Sequence, residues 1–318
     1  MAAEAALVMK AVKHQGPIKI VWSREDDIRG GRYRPVFVHR LKAGIDGAGD
    51  IVAWEHVIAG QSFIRGSALE GEIGKSGIDE SMVEGASDMP YAVPNLAVSV
   101  HETKTGVPTL WWRSVGHTHT AFAVEAFLDG IAAAAGEDEL ALRRKLLARQ
   151  PRHLAVLNLA AGKAGWEKPL PQGKARGIAV HSSFDSYVAH VVEVSVSDEG
   201  FPKVERVVTA VDCGQPINPD IIVAQMEGGV GFGLSAALFN AIDLEDGRVV
   251  QSNFHDYRQL RIGEMPPVEV HIVPSAEPPT GVGEPGVPPI APAVANASAK
   301  LTGTRVHELP FARALSKA

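Results

Sequence analysis

Cysteine is all but missing from this sequence: Cys213 is the only one in 318 residues. No internal disulfide can form, and a four-thiolate zinc site or an iron–sulfur cluster ligated by this chain alone is excluded. Any metal chemistry must use oxygen and nitrogen ligands, or a metal that a cofactor brings with it. Clustered charge is also scarce. The 31 Lys and Arg against 37 Asp and Glu leave a net charge of −6, and the basic residues are spread along the chain, which argues against a nucleic-acid partner. No apolar run approaches the roughly 18 residues of a membrane span. The opening MAAEAALVMKAVKHQG reads as a short amphipathic helix without the basic start or cleavage site of a secretory signal. Compartment stays open between the cytoplasm and the periplasm, reached by way of a partner. No GxSxG elbow, HExxH helix, P-loop or kinase signature occurs, which leaves hydrolase and phosphoryl-transfer readings little to stand on.

What is present is a mixed α+β pattern. With 45% hydrophobic and 21% charged residues, the chain can form one large or two medium domains with an ample core. PIKIVWS (17–23), RPVFVHRLKAGI (34–45) and IVAWEHVIAG (51–60) read as strands, with DGAGD as the hairpin turn between the last two. REDDIRGGRYR (24–34) reads as a charged, solvated loop, and residues 61–90 as a long glycine-rich excursion. NLAVSVHETKTG and TLWWRSV look like strands leading to a helix from about Thr118, followed by helices in DELALRRKLLARQ and RHLAVLNLAAGKAGW. KPLPQGKARG is a linker that puts a boundary near 165–176, dividing the chain into residues 1–170 and 171–318. Beyond it come the strands GIAVHSS, YVAHVVEVSVSD and KVERVVTAVDCG. A helix opened by Pro219 and Asp220 is next, then strands near 243–252 and 267–274, and a last helix in APAVANASAK.

One line stands out. GVGEPGVPPIAPAVANA (281–297) places a single acid, Glu284, between Gly283 and Pro285, with three more prolines after it. Glycines at 281, 283 and 286 permit backbone geometry that other residues resist, whereas each proline fixes its own φ and biases the residue before it. Such a setting aims a carboxylate at a fixed point. Two further loops open helices in the same way: RSVGHTH (113–119) and VDCGQPINPD (211–220), with Gln225 one turn into the second helix. Helix N-termini and glycine-rich turns suit anionic cofactor groups, so three such loops beside one acid point to a large anionic cofactor with a general base. EGGVGFG (227–233) lies inside a helix and reads as close helix packing rather than a dinucleotide turn. His117 and His119 alternate without a third ligand in register, which is weak ground for a metal site.

These segments, together with SREDDIRGGRYRP and WWRSVGHTHTAFAVEAFLDGIA, resemble the molybdenum-binding large subunit of the xanthine dehydrogenase and aldehyde oxidase family. The branch they are most similar to is the isoquinoline 1-oxidoreductase beta-subunit type, which also contains bacterial aldehyde dehydrogenases. The resemblance runs over essentially the whole chain. It implies the C-terminal half of a molybdenum-cofactor-binding domain, with Glu284 as the base beside the metal. It also implies that the metal is held by the pterin dithiolene and not by the protein. Arg113, Ser114, Val115, Gly116 and His117, with Cys213, Gly214, Gln225 and Gly283, are the positions it assigns to the cofactor, whose form in this branch is usually the molybdopterin cytosine dinucleotide. Implied partners are a complementary N-terminal molybdenum-domain chain, a subunit carrying 2Fe-2S clusters, and a cytochrome or another electron acceptor. The family's GTEMGQG-type and GGGFG-type loops do not occur here, so half of the cofactor cradle is expected on another chain; a scaffold subunit without cofactor is the alternative. Asp185 also departs from the pattern, standing where the branch commonly has glycine. Cys213 is expected to pack rather than to ligate. Cys213→Ser should therefore leave the molybdenum content of the assembled protein unchanged, and loss of metal on that substitution would give the thiol a ligand's role.

Overall fold

The computed structural model describes residues 1–13 and 15–316 and divides into two compact units, Met1–Gly31 with Ala241–Arg258, and Arg32–Asn240 with Gln259–Ala318. The smaller unit holds α1 (Ala2–Val12) and α2 (Arg24–Gly30). The larger continues with β1 (Phe37–Ile45), β2 (Ile51–Gly60), β3 (Leu96–Glu102), α3 (His117–Ala135), α4 (Glu139–Leu146), α5 (Pro151–Ala164), β4 (Lys174–Ser183), β5 (Ser186–Val196), β6 (Pro202–Asp212) and α6 (Pro219–Leu238). The short strands β7 (Leu244–Glu245) and β8 (Arg248–Val249) fall in the smaller unit, and β9 (Val268–Ile272), α7 (Ile290–Thr302) and α8 (Phe311–Leu315) complete the larger one. The expected mixture of helix and sheet is what the chain forms.

Four of the sequence expectations need correction. Residues 24–30 are helical because Ser23 accepts the Asp26 N–H while the Asp26 carboxylate accepts the Ser23 N–H, a reciprocal cap reinforced by acids at 25, 26 and 27. Residues 17–23 form no strand: they alternate but find no ladder, and the Trp22 indole N–H donates instead to Glu4 at 3.2 Å. TLWWRSV makes only a single bridge, Tyr33 with Thr109, before the chain turns through left-handed Ser114 and Val115. The strand expected near 243–252 shrinks to β7 and β8, a two-residue pair closed by Asp246 and Gly247, both at positive φ. A further adjustment concerns α6, which is by length and composition apolar enough to cross a membrane, although ten of its residues are buried within the protein.

In the larger unit, β4, β5, β6 and β9 form a sheet in that order, antiparallel except for the β6–β9 edge. Period two then sorts the side chains. Ile178, Val180, Ala189, Val191, Val208 and Ala210 join α3, α4 and α5 in one core, while Ala179, Val192, Val194 and Val207 join α6 and α7 in another. The sheet is thus the middle layer of three. Gly177 lets α7 sit directly on β4, since a Cβ there would stand 2.0 Å from the Ala293 carbonyl oxygen. The small-residue face of α7 is used for this approach. A second sheet, β1–β2–β3, is antiparallel then parallel, and its buried Trp54 and Ile58 belong to the α3–α5 core.

α3 is locked by a buried ion cluster. The Arg143 guanidinium, fully buried on α4, donates to Glu125 Oε2 and Asp129 Oδ1 at 2.9 Å each and to the Glu125 carbonyl at 3.0 Å. Glu125 also accepts from Tyr91 and from the Val180 N–H of β4 at 3.1 Å. Removing only the cation would strand two buried carboxylates. Arg143→Met should cost about 3–5 kcal/mol of unfolding free energy, measured as a lower urea midpoint at unchanged slope; a loss under about 1 kcal/mol would show that these carboxylates do not depend on Arg143.

Candidate active site

The loop before α3 is built around two non-glycine residues in the left-handed region, Ser114 (φ 72°) and Val115 (φ 49°). Each costs about 1–2 kcal/mol relative to a right-handed conformation, and the surroundings hold them there. The Val115 N–H donates to the Trp112 carbonyl at 2.7 Å and the Gly116 N–H to Glu84 Oε1 at 2.7 Å. A Cβ on Gly116 would meet the Ser81 carbonyl oxygen at 1.8 Å, so glycine is required there.

What this conformation achieves is a grip on Glu284. The Ser114 N–H donates to Glu284 Oε1 at 3.1 Å, and the Ser114 hydroxyl donates to the Glu284 carbonyl at 2.7 Å. Arg113 reaches the residue before: its Nε donates to the Gly283 carbonyl at 2.7 Å, and Nη2 donates to Gln225 Oε1 at 3.0 Å. Burial holds the Arg113 guanidinium below its usual range, opposed by the charge of Glu284. Gln225, half-buried on the second turn of α6, follows a start set by Pro219 and by Asn218, whose side chain accepts the Ile221 N–H. α6 and the glutamate loop touch backbone to backbone, because a Cβ on Gly229 would stand 3.0 Å from the Gly286 carbonyl carbon. Of the glycines of EGGVGFG, Gly229, Gly231 and Gly233 serve close packing, as expected.

The third loop joins through its main chain. The Cys213 carbonyl accepts the Thr280 N–H at 2.9 Å, and Gly214 (φ 70°) passes so close to Pro278 that a Cβ would lie 2.0 Å from that carbonyl oxygen. The Cys213 thiol itself is buried among Val188, Val211, Ile222 and Met226, and burial raises its pKa. Arg113, Ser114, Gln225, Gly283 and Glu284 therefore meet at one point, with Cys213 and Gly214 behind it. His117 and His119 diverge. His117 Nδ1 lies 2.9 Å from His181 Nε2, whereas His119 Nδ1 lies 3.0 Å from His39 Nε2, which leads on to His56. Burial lowers the His117 pKa to about 4 and raises that of Glu84, 3.5 Å from His117 Nε2, to about 7.

Sequence reading missed the hairpin tip between β4 and β5. Phe184 (φ 52°) and Asp185 (φ 59°) are both left-handed, giving the two-residue turn that suits a twisted hairpin. Asp tolerates this where glycine is common; a phenylalanine there is unusual. Ser186 ties the tip to the glutamate loop, with its Oγ 2.7 Å from Thr280 Oγ1 and from the Gly281 carbonyl. The signals in the sequence were the aromatic in SSFDSY and Asp185 beside it.

Comparison with known proteins fits this geometry. Two families, each described as a molybdopterin cofactor-binding domain, match residues 1–147 and 123–266. Together the two matches span residues 1–266, so most of the chain is molybdopterin cofactor-binding domain. It is 31% identical to the beta chain of isoquinoline 1-oxidoreductase from Brevundimonas diminuta over 99% of its own length and 40% of that protein's. It is 28% identical to one of the subunits of nicotinate dehydrogenase from Pseudomonas putida over 97% of this chain and 28% of that one. The chain thus spans less than half the length of these relatives. In fold it is similar to quinoline 2-oxidoreductase from Pseudomonas putida 86, with a TM-score of 0.81 at 13% identity over 99% of this chain and 66% of that one. It is likewise similar to the aldehyde oxidoreductase of Desulfovibrio gigas, with a TM-score of 0.70 at 15% identity over 93% of this chain and 51% of that one.

The two roles of Ser114 can be separated. Ser114→Ala loses the hydroxyl and keeps the left-handed strain, whereas Ser114→Gly loses the hydroxyl and relieves it. The alanine variant should be less stable than the glycine variant by about 1 kcal/mol in urea unfolding. Equal stabilities would mean that residue 114 is not held left-handed.

Proposed function

We propose that this chain is the base-carrying part of the catalytic subunit of a molybdenum-dependent hydroxylase, acting on an aldehyde or an N-heteroaromatic ring with water as the oxygen source. The observation that carries the reading is the two-point hold on Glu284 by Ser114, with Arg113 bridging Gly283 and Gln225 beside it. Residues 171–318 would form the subdomain bearing Glu284, and residues 1–170 the subdomain bearing the Arg113–His117 loop.

The residues present suit a bound molybdenum–pterin group, for which the cytosine dinucleotide form is our choice. Apart from its two chain neighbours, no atom of the described residues stands within 4 Å of where a Cβ on Gly283 would be, which leaves the main chain beside Glu284 open to a ligand. Gln225 Oε1 is taken by Arg113, so its amide N–H groups remain as donors. Arg113, Gln225 and the main chain at Gly283 would hold the group. When bound, it would supply the reacting oxygen and take up the hydrogen and the two electrons of the C–H bond that breaks at the attacked carbon. Glu284 would accept the proton from the water-derived oxygen as that oxygen attacks an electron-poor carbon. Its Oε1 is steadied by the Ser114 N–H, which fixes the carboxylate's orientation and leaves Oε2 to take the proton. A complementary N-terminal molybdenum-domain chain would supply the rest of the cradle. Electrons would leave through 2Fe-2S clusters on a partner subunit to a cytochrome or another acceptor.

Glu284→Gln keeps size and most packing but cannot take the proton. In the assembled complex it should reduce turnover by at least about 10²-fold, with molybdenum content and melting temperature near those of the wild type. Turnover within a few-fold of wild type at full molybdenum loading would overturn the role of Glu284. A complex that purifies without molybdenum would turn the reading toward a scaffold.

A further inference from the structure

The hairpin tip at 184–185 has a feature that folding alone does not ask for. A left-handed two-residue turn is best served by Asn, Asp or Gly, and the second position obeys this with Asp185. The first holds Phe184 at φ 52°, and the residue is 40% exposed. A bulky aromatic in this conformation is a genuine outlier, and such outliers gather where function demands them.

The ring's surroundings suggest that demand. Phe184 meets His117 edge to face, with ring centroids 5.7 Å apart, so it borders the loop whose Ser114 grips Glu284. On the other side, its Cβ is, apart from the chain neighbours of Gly281, the only atom of the described residues within 4 Å of where a Cβ on Gly281 would stand, and around Gly283 there is open space. Two glycines therefore clear the approach along the loop to Glu284, and one aromatic ring bounds it. The tip cannot swing away freely, because Ser186 is bonded to Thr280 and Gly281.

We propose that Phe184 is a specificity-determining residue, the aromatic wall against which a planar aromatic or heteroaromatic substrate lies as it approaches Glu284. The inference rests on the reading of Glu284 as an active-site base and narrows its substrate class. A flat π-system gains a stacked or edge-on contact with the ring, and a small aliphatic aldehyde gains little.

The test uses the complete assembly with all its subunits. Binding of isoquinoline is measured by calorimetry in the Glu284→Gln background, where no turnover interferes. KM is then measured for benzaldehyde and for acetaldehyde in the active enzyme. Phe184→Ala should weaken isoquinoline binding and raise KM for benzaldehyde by about 3–10-fold, with acetaldehyde KM and both kcat values changed by less than about 2-fold; Phe184→Tyr should restore both. Phe184→Asn suits the turn, and should raise the melting temperature by a few degrees, roughly what relief of a left-handed strain gives in a chain of this size, while losing aromatic binding like Ala. Equal effects on both aldehydes, or none on isoquinoline binding, would overturn the proposal, as would a lower melting temperature for Phe184→Asn. An assembly that binds isoquinoline through Phe184 yet turns over neither aldehyde nor ring would uphold the wall and remove the hydroxylase reading instead.

Discussion

The Arg143–Glu125 pair sets the frame on which the site rests. A guanidinium and a carboxylate with no access to water are each costly alone, and together they are tolerated only in one geometry. That geometry joins four elements: α4 through Arg143, α3 through Glu125 and Asp129, β4 through the Val180 N–H, and the loop at Tyr91. α7 adds Asn296, whose amide lies 3.3 Å from the Ile178 carbonyl and 3.4 Å from that of Glu125. Rotation of α3 would break this set at once. Since α3 begins at His117, directly after the loop that grips Glu284, the register of a helix fixed two turns inside the core fixes the start of that loop at its end.

From there the site is assembled by approach and not by side-chain bulk. α7 touches β4 across Gly177, α6 touches the glutamate loop across Gly229 and Gly286, and the 213–214 turn touches Pro278 across Gly214. Each contact needs a missing Cβ. The parallel β6–β9 edge matters for the same reason: strands running the same way deliver residues 212–214 and 273–280 to one end of the sheet, where α6 and α7 start. Ligand sites at such ends are a general property of sheets with helices following their strands.

Much of this was legible in the sequence because the informative residues are those whose chemistry is local. Gly-Val-Gly-Glu-Pro announces a constrained acid, Pro219–Asp220 a helix start, and the β-rich runs in 177–212 a set of strands. Less legible were features that depend on distant partners. The run 17–23 has a strand's alternation but no ladder to join, and TLWWRSV has a strand's composition but is diverted by Ser114 and Val115, whose left-handed backbone is stabilised by Trp112, Glu84 and Glu284. The helix at 24–30 was readable after all, in the Ser-x-x-Asp of its cap, and was obscured by the charge around it. The divergence of His117 and His119 was beyond sequence reading, since it follows from histidines at 39 and 181, far off in the chain.

The grip on Glu284 has a consequence for how this protein can change over time. Of the atoms that fix the glutamate and the residue before it, several are main-chain atoms: the Ser114 N–H and the carbonyls of Gly283 and Glu284. A point mutation replaces side chains and leaves the peptide groups where they were. Neighbouring residues can therefore drift in identity while the carboxylate keeps its place, provided that the two loops keep their lengths. The change this arrangement tolerates least is not a substitution but the gain or loss of one residue between 113 and 116 or between 281 and 286, which would move a donor past its acceptor.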